Sequence, residues 1–193
     1  AERFAEALRR SELPRRWRTM CGAGEPADSE AVRLVRARRT RCLCLAGAPD
    51  TGKTTAAAWA LWCSLQAGDS GRWLDAAAIV RESVEDDGNA RLRGWCSVSM
   101  LVIDDLGWAY RGRTDYGLTV LSQVLDRREK AMLPIIATAN IPPRYQPGDE
   151  RDRPTVWQQL GDTDGERARN WRRLDGDTPG AMVWLRRRWN AQP

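Results

Sequence analysis

The sequence predicts an α/β fold with a mainly parallel sheet, on three observations. Short apolar runs at residues 42–46, 72–74, 99–103, 134–138 and 182–185 alternate with stretches of helical periodicity. The first run passes through a glycine-bounded loop straight into an Ala-, Leu- and Trp-rich helix pattern. Two further runs end in polar side chains, Asp104-Asp105 and Thr138-Ala139-Asn140, at the strand edge where parallel sheets hold ligands.

Each element has a local reason. Residues 1–12 mix charged and apolar positions at helical spacing, and Leu13-Pro14-Arg15-Arg16-Trp17 breaks that pattern. Residues 22–29 are loop-like, and 29–39 resume a helix with Ala31, Leu34 and Val35 on one side. Cys42 to Ala46 is a strand, and Thr54 to Ala67 a helix closed by Gly68. Arg72-Trp73-Leu74 is a strand, with Asp75 capping a helix through about Ser83. Asp86-Asp87-Gly88-Asn89 reads as a turn. After the strand at 99–103, Asp115 to Lys130 is a helix with Leu118, Leu121, Val124 and Leu125 on its apolar face. Residues 141–154 are Pro-rich loop, Arg167 to Leu174 a helix and Met182 to Leu185 a last strand.

Composition excludes much chemistry. The 193 residues contain no histidine, so a Ser-His-Asp hydrolase, an imidazole base, a Cys/His zinc site and an HExxH metalloprotease are ruled out. Five cysteines at irregular spacing read as buried thiols of a reducing compartment, not a disulfide framework. No run reaches the roughly 18 apolar residues of a membrane span, and the first residues carry no secretory pattern. A cytoplasmic protein of one main domain is expected. The formal charge of +5 is uneven: net +5 over residues 1–46, −4 over 47–165 and +4 over 166–193. Almost all of the positive charge is arginine, and Lys53 and Lys130 are the two lysines.

One of those lysines sits in Gly47-Ala48-Pro49-Asp50-Thr51-Gly52-Lys53-Thr54, a G-x-x-x-x-G-K-[ST] phosphate-binding loop of Walker A type. Backbone N–H groups of such a loop wrap a phosphate, Lys53 reaches the β- and γ-phosphates, and the Thr54 hydroxyl helps hold Mg²⁺. The helix that starts there points its positive end at the anion. Residues 47–54 and the adjoining Thr55 are the expected ATP contacts. Met100-Leu101-Val102-Ile103-Asp104-Asp105 is a Walker B pattern about 50 residues on. Asp104 is expected at Mg²⁺, and Asp105 is expected to orient or deprotonate the attacking water. Alternation along the strand aims the two acids at different sides. A second carboxylate for water favours an ATP hydrolase over a small-molecule kinase. Asn140 is either a sensor that bonds the γ-phosphate or lytic water, or a turn residue before Ile141-Pro142-Pro143.

Together these segments resemble the DnaC/IstB-like branch of AAA+ ATPases. The resemblance runs from about residue 11 to 175 and is carried by Leu101-Val102-Ile103-Asp104-Asp105-Leu106-Gly107, by Val124-Leu125-Asp126-Arg127-Arg128 with Pro134 to Asn140, and by Leu13 to Trp17. It implies a three-layer P-loop NTPase fold (AAA+ core) over residues 41–193, preceded by a helical lead-in at 1–40. It also implies ATP-dependent loading of a replicative helicase onto single-stranded DNA, or, as in IstB-like members, service to a transposase. A nucleotide-gated adaptor with slow hydrolysis is the alternative. Self-assembly through an arginine finger is implied near Arg172-Arg173-Leu174, with Arg173 favoured and Arg172 second. Two departures stand out: Asp50 replaces the usual loop glycine, and Arg186-Arg187-Arg188-Trp189-Asn190 does not match the family's C-terminal pattern.

Arg15-Arg16-Trp17-Arg18, Trp171-Arg172-Arg173 and Arg186-Arg187-Arg188-Trp189 interleave charge with aromatic rings, a combination suited to single-stranded nucleic acid. The competing reading is that ten Trp beside a single Phe simply fill core positions.

Overall fold

The computed structural model describes residues 2–37, 41–83, 88–106, 115–141, 156, 160, 164–175 and 182–185. Among the described residues five strands are β1 (Cys42–Gly47), β2 (Gly71–Asp75), β3 (Met100–Asp104), β4 (Ile135–Ala139) and β5 (Met182–Leu185). They form one sheet in the order β5-β1-β4-β3-β2, and every neighbouring pair is parallel. The described helices are α1 (Glu2–Arg10), α2 (Arg15–Gly22), α3 (Glu30–Arg36), α4 (Lys53–Gln66), α5 (Ala76–Ser83), α6 (Gly88–Ser97), α7 (Asp115–Lys130) and α8 (Asp164–Asp175).

The strands carry almost no polar residues because helices cover both faces of the sheet. Alternation sorts their side chains. Cys42, Cys44, Leu101, Ile103, Ile135 and Ala137 join one apolar cluster with residues of α5 to α8. Leu43, Leu45, Met100, Val102 and Ile136 join the opposite one with α2, α3 and α4. Three layers result, as expected. The lead-in helices share the second cluster: Phe4 meets Trp62 of α4 edge-on at 5.0 Å, and Leu13, Ala31 and Val32 are fully buried.

Most expected elements are present within a residue or two. The break at Leu13–Trp17 is a junction between helices: Pro14 sits at the N-cap and Arg15 starts α2, because proline's missing N–H costs nothing there. The turn expected at 86–89 is corrected in part, since Gly88 and Asn89 open α6; Asp86 and Asp87 lie outside the described residues, as does the loop expected at 142–154. Asp75 caps α5 as expected, accepting from the Ala77 N–H at 2.8 Å. Leu121, Val124 and Leu125 of α7 are buried; the side chain of Leu118 is outside the description. All five cysteines are free thiols. Cys21, Cys42 and Cys44 are buried, but Cys63 is exposed on α4, which corrects the expectation of burial there. Among the described residues no helix is long and apolar enough to cross a membrane.

Candidate functional site

The strand order brings three chain segments to one edge. β4 lies between β1 and β3, so the loop after β1, the acids after β3 and the polar tip of β4 are neighbours.

The loop from Gly47 to Gly52 closes on its own lysine. Lys53 Nζ donates to Gly47 O at 3.0 Å, Ala48 O at 2.7 Å and Thr51 Oγ1 at 3.1 Å, and Thr51 Oγ1 donates to Ala48 O at 3.0 Å. Lys53 is 4% exposed. Burial lowers its pKa, and the nearby Asp104, Asp105 and Asp50 pull it back up. Two glycines are required by packing. A Cβ on Gly47 would lie 2.7 Å from Leu185 O, and one on Gly52 would lie 3.0 Å from Ser29 Oγ, where φ is also +81°. Ser29 is the N-cap of α3, its Oγ accepting from Val32 N–H at 3.2 Å, so the lead-in segment seats directly on the loop. Asp50 is exposed and adopts φ 63°. A left-handed residue explains the family's glycine there, and Asp is among the side chains that tolerate that conformation.

Beyond the loop a hydrogen-bond chain crosses three elements. Thr54 Oγ1 donates to Asp104 Oδ1 at 3.1 Å, and Thr138 Oγ1 donates to the same oxygen at 2.6 Å. The Asp105 N–H donates to Thr138 Oγ1 at 3.0 Å, and Asn140 Nδ2 donates to Asp105 Oδ1 at 2.8 Å. Thr54, Asp104, Asp105 and Asn140 are therefore brought together with Lys53. Strand alternation does not place Asp105: β3 ends at Asp104, and Asp105 turns through φ 60°, so a left-handed turn separates the two acids. Burial raises both carboxyl pKa values. For Asp104 the hydroxyls of Thr138 and Thr54 oppose the rise; for Asp105 the neighbouring Asp104 adds to it and Asn140 opposes it.

The donor set fits the expected ligands. A buried cation among loop carbonyls, beside a helix N-terminus, suits a polyphosphate. A hydroxyl and a carboxylate within hydrogen-bond reach are hard oxygen donors of the kind Mg²⁺ takes.

Other expected residues fall elsewhere. Arg173 is held inside the chain, donating to Asp126 Oδ1 at 2.5 Å, Glu129 Oε2 at 3.1 Å and Asn170 Oδ1 at 3.0 Å. Arg172 is exposed, its Nε on Ala168 O at 3.3 Å. Trp17 and Trp171 are half-buried against the core, and the Arg16 guanidinium lies 4.7 Å from the Trp17 ring centroid. Trp189 and residues 186–188 lie outside the described residues. The bridging role of Thr138 was not visible in sequence, although its spacing from Asn140 marked the strand tip as polar.

No protein-family model matches the sequence, and no curated protein matches it. Solved structures do match the fold. AMPPCP-bound DnaA from Aquifex aeolicus superposes with a TM-score of 0.59 at 16% identity, over 80% of this chain and 44% of that one. The crystal structure of DnaI gives 0.56 at 20% identity, over 81% and 80%. The DnaC helicase loader gives 0.55 at 19% identity, over 80% and 85%. The chain shares the three-layer α/β fold of these structures. This chain spans 44% of the length of the DnaA chains and most of the length of the DnaI and DnaC chains. Within that fold β1 delivers the loop, β3 the acids, and β4 the residues that join them.

Proposed function

We propose that this chain is an ATP-binding and ATP-hydrolysing AAA+ protein that acts on DNA in replication, in the manner of a DnaC-like helicase loader. The observation that carries the reading is the hydrogen-bonded row Thr54–Asp104–Thr138–Asp105–Asn140 beside Lys53. Gly47 to Thr55 would hold the nucleotide, with Lys53 leaving its loop carbonyls for phosphate oxygens. Thr54 and Asp104 would hold Mg²⁺, which supplies charge neutralisation on the phosphates when bound. Asp105 would take the proton of the attacking water, held toward it by Asn140.

The neighbours support the nucleotide, DNA and helicase parts of this reading. One solved DnaA is bound to AMPPCP and single-stranded DNA, and DnaC is titled a helicase loader. On this reading the partners are single-stranded DNA and a replicative helicase, in the cytoplasm. Exposed Arg15 and Arg16 on α2, and Arg169 and Arg172 on α8, are candidate phosphate contacts. An arginine acting on a second copy's nucleotide is part of the proposal. Arg173 could serve only by leaving Asp126 and Glu129, whereas exposed Arg172 needs no such release.

The test is ATP turnover with and without single-stranded DNA. Stimulation supports the reading. Measurable binding with slow turnover indifferent to DNA points instead to an IstB-like helper or nucleotide-gated adaptor.

A further inference from the structure

Thr138 is 2% exposed, and its hydroxyl both accepts and donates a hydrogen bond. A hydroxyl has one hydrogen and two lone pairs. Because the Asp105 N–H can only donate, Thr138 Oγ1 must accept from it at 3.0 Å, and the single O–H is then left for Asp104 Oδ1 at 2.6 Å. The same residue's carbonyl accepts from Leu106 N–H at 2.7 Å. Three bonds from one residue of β4 thus hold three consecutive residues at the end of β3. The middle one, Asp105, sits at φ 60°, a left-handed conformation that Asp tolerates and that turns its side chain away from the strand's alternation. Thr54 and Thr138 both bond Oδ1 of Asp104, and no described residue donates to Oδ2.

We propose that Thr138 is a positioning residue that locks the two acids to each other: its O–H orients the Asp104 carboxylate for Mg²⁺, and its oxygen pins the Asp105 backbone so that this carboxylate reaches Asn140. The proposal rests on the nucleotide-binding reading of the site. It does not require that turnover be fast.

The experiment compares wild type with Thr138→Val, Thr138→Ala and Thr138→Ser in the full chain. ATP affinity is measured by calorimetry in EDTA and across a Mg²⁺ titration, with turnover measured in parallel. Val keeps the shape without the hydroxyl, Ala removes both, and Ser keeps the hydroxyl. Expected for Val and Ala are unchanged affinity in EDTA, a higher Mg²⁺ requirement for tight ATP binding, and turnover reduced about 10²-fold. Ser is expected to behave as wild type. A Mg²⁺ requirement identical in Val, Ala and wild type overturns the lock, as does a Ser variant impaired as severely as Val. A wild type that binds ATP without hydrolysing it overturns the ATPase reading alone, and the Mg²⁺ titration still decides the lock. Absence of nucleotide binding in wild type overturns both.

Discussion

Asn140 Nδ2 donates to Asp105 Oδ1 at 2.8 Å across 35 residues of chain. That bond opposes a pKa that burial and the neighbouring Asp104 push up. A carboxyl whose folded-state pKa is raised favours the folded state where it is protonated, and loses that contribution as pH rises through the folded pKa. At neutral pH Asp105 therefore costs stability. Asp105→Asn should keep ATP binding, lose turnover by about 10²-fold or more, and melt higher than wild type. The melting gap should be widest near neutral pH and close as pH falls through the carboxylate range. Melts at several pH values check this; a gap independent of pH would refute it.

Lys53→Ala should remove ATP binding, because the loop loses the cation around which its carbonyls converge. Wild type should gain about 2.7 kcal/mol of apparent stability at about 100 Kd of ATP. The variant should show no ligand-induced rise in melting temperature.

Arg128 is a structural arginine inside the segment that carries the family resemblance. It is fully buried and donates to Trp95 O at 2.8 Å, Val98 O at 2.9 Å and Pro134 O at 2.7 Å, tying the end of α6 and the start of β4 to α7. Burial brings its pKa down to about 10. Arg128→Met would strand these carbonyls and should cost about 3 kcal/mol or more in denaturant unfolding. Arg128→Lys should recover part of that, since an ammonium cannot reproduce the guanidinium fork. A loss under about 1 kcal/mol for the Met variant would contradict the role.

Arg173 and Arg172 should separate cleanly. Arg173→Ala removes a partner of Asp126, which Lys130 also pairs, and of Glu129, and should lower the melting temperature of the isolated protein. Arg172→Ala should leave melting unchanged and reduce ATP turnover where copies assemble on single-stranded DNA. Equal melting of the two variants would argue against the intramolecular assignment of Arg173.

The legible parts of this protein were those with local causes. The alternation of apolar runs and helical patterns, the glycines at Gly47 and Gly52, the lysine at Lys53 and the acids closing β3 each follow from short-range rules, and the structure places them at one sheet edge. The first turn of α6 is not legible locally, because Gly88-Asn89 carries turn chemistry that packing of Leu92 and Trp95 overrides. Trp17 and Trp171 of the Arg-Trp clusters are half-buried against the core, which leaves only part of each ring open to a base.

By itself the sequence determined the phosphate loop, the two acids and the parallel α/β architecture, since spacing and polarity along one segment suffice for each. Only the tertiary structure decided that β4 lies between β1 and β3, that Thr138 ties Asp104 to Asp105, and that Arg173 is already occupied by α7. Those facts depend on strand order and on hydrogen bonds between residues 30 to 50 positions apart, and no periodicity within a single segment encodes such pairings.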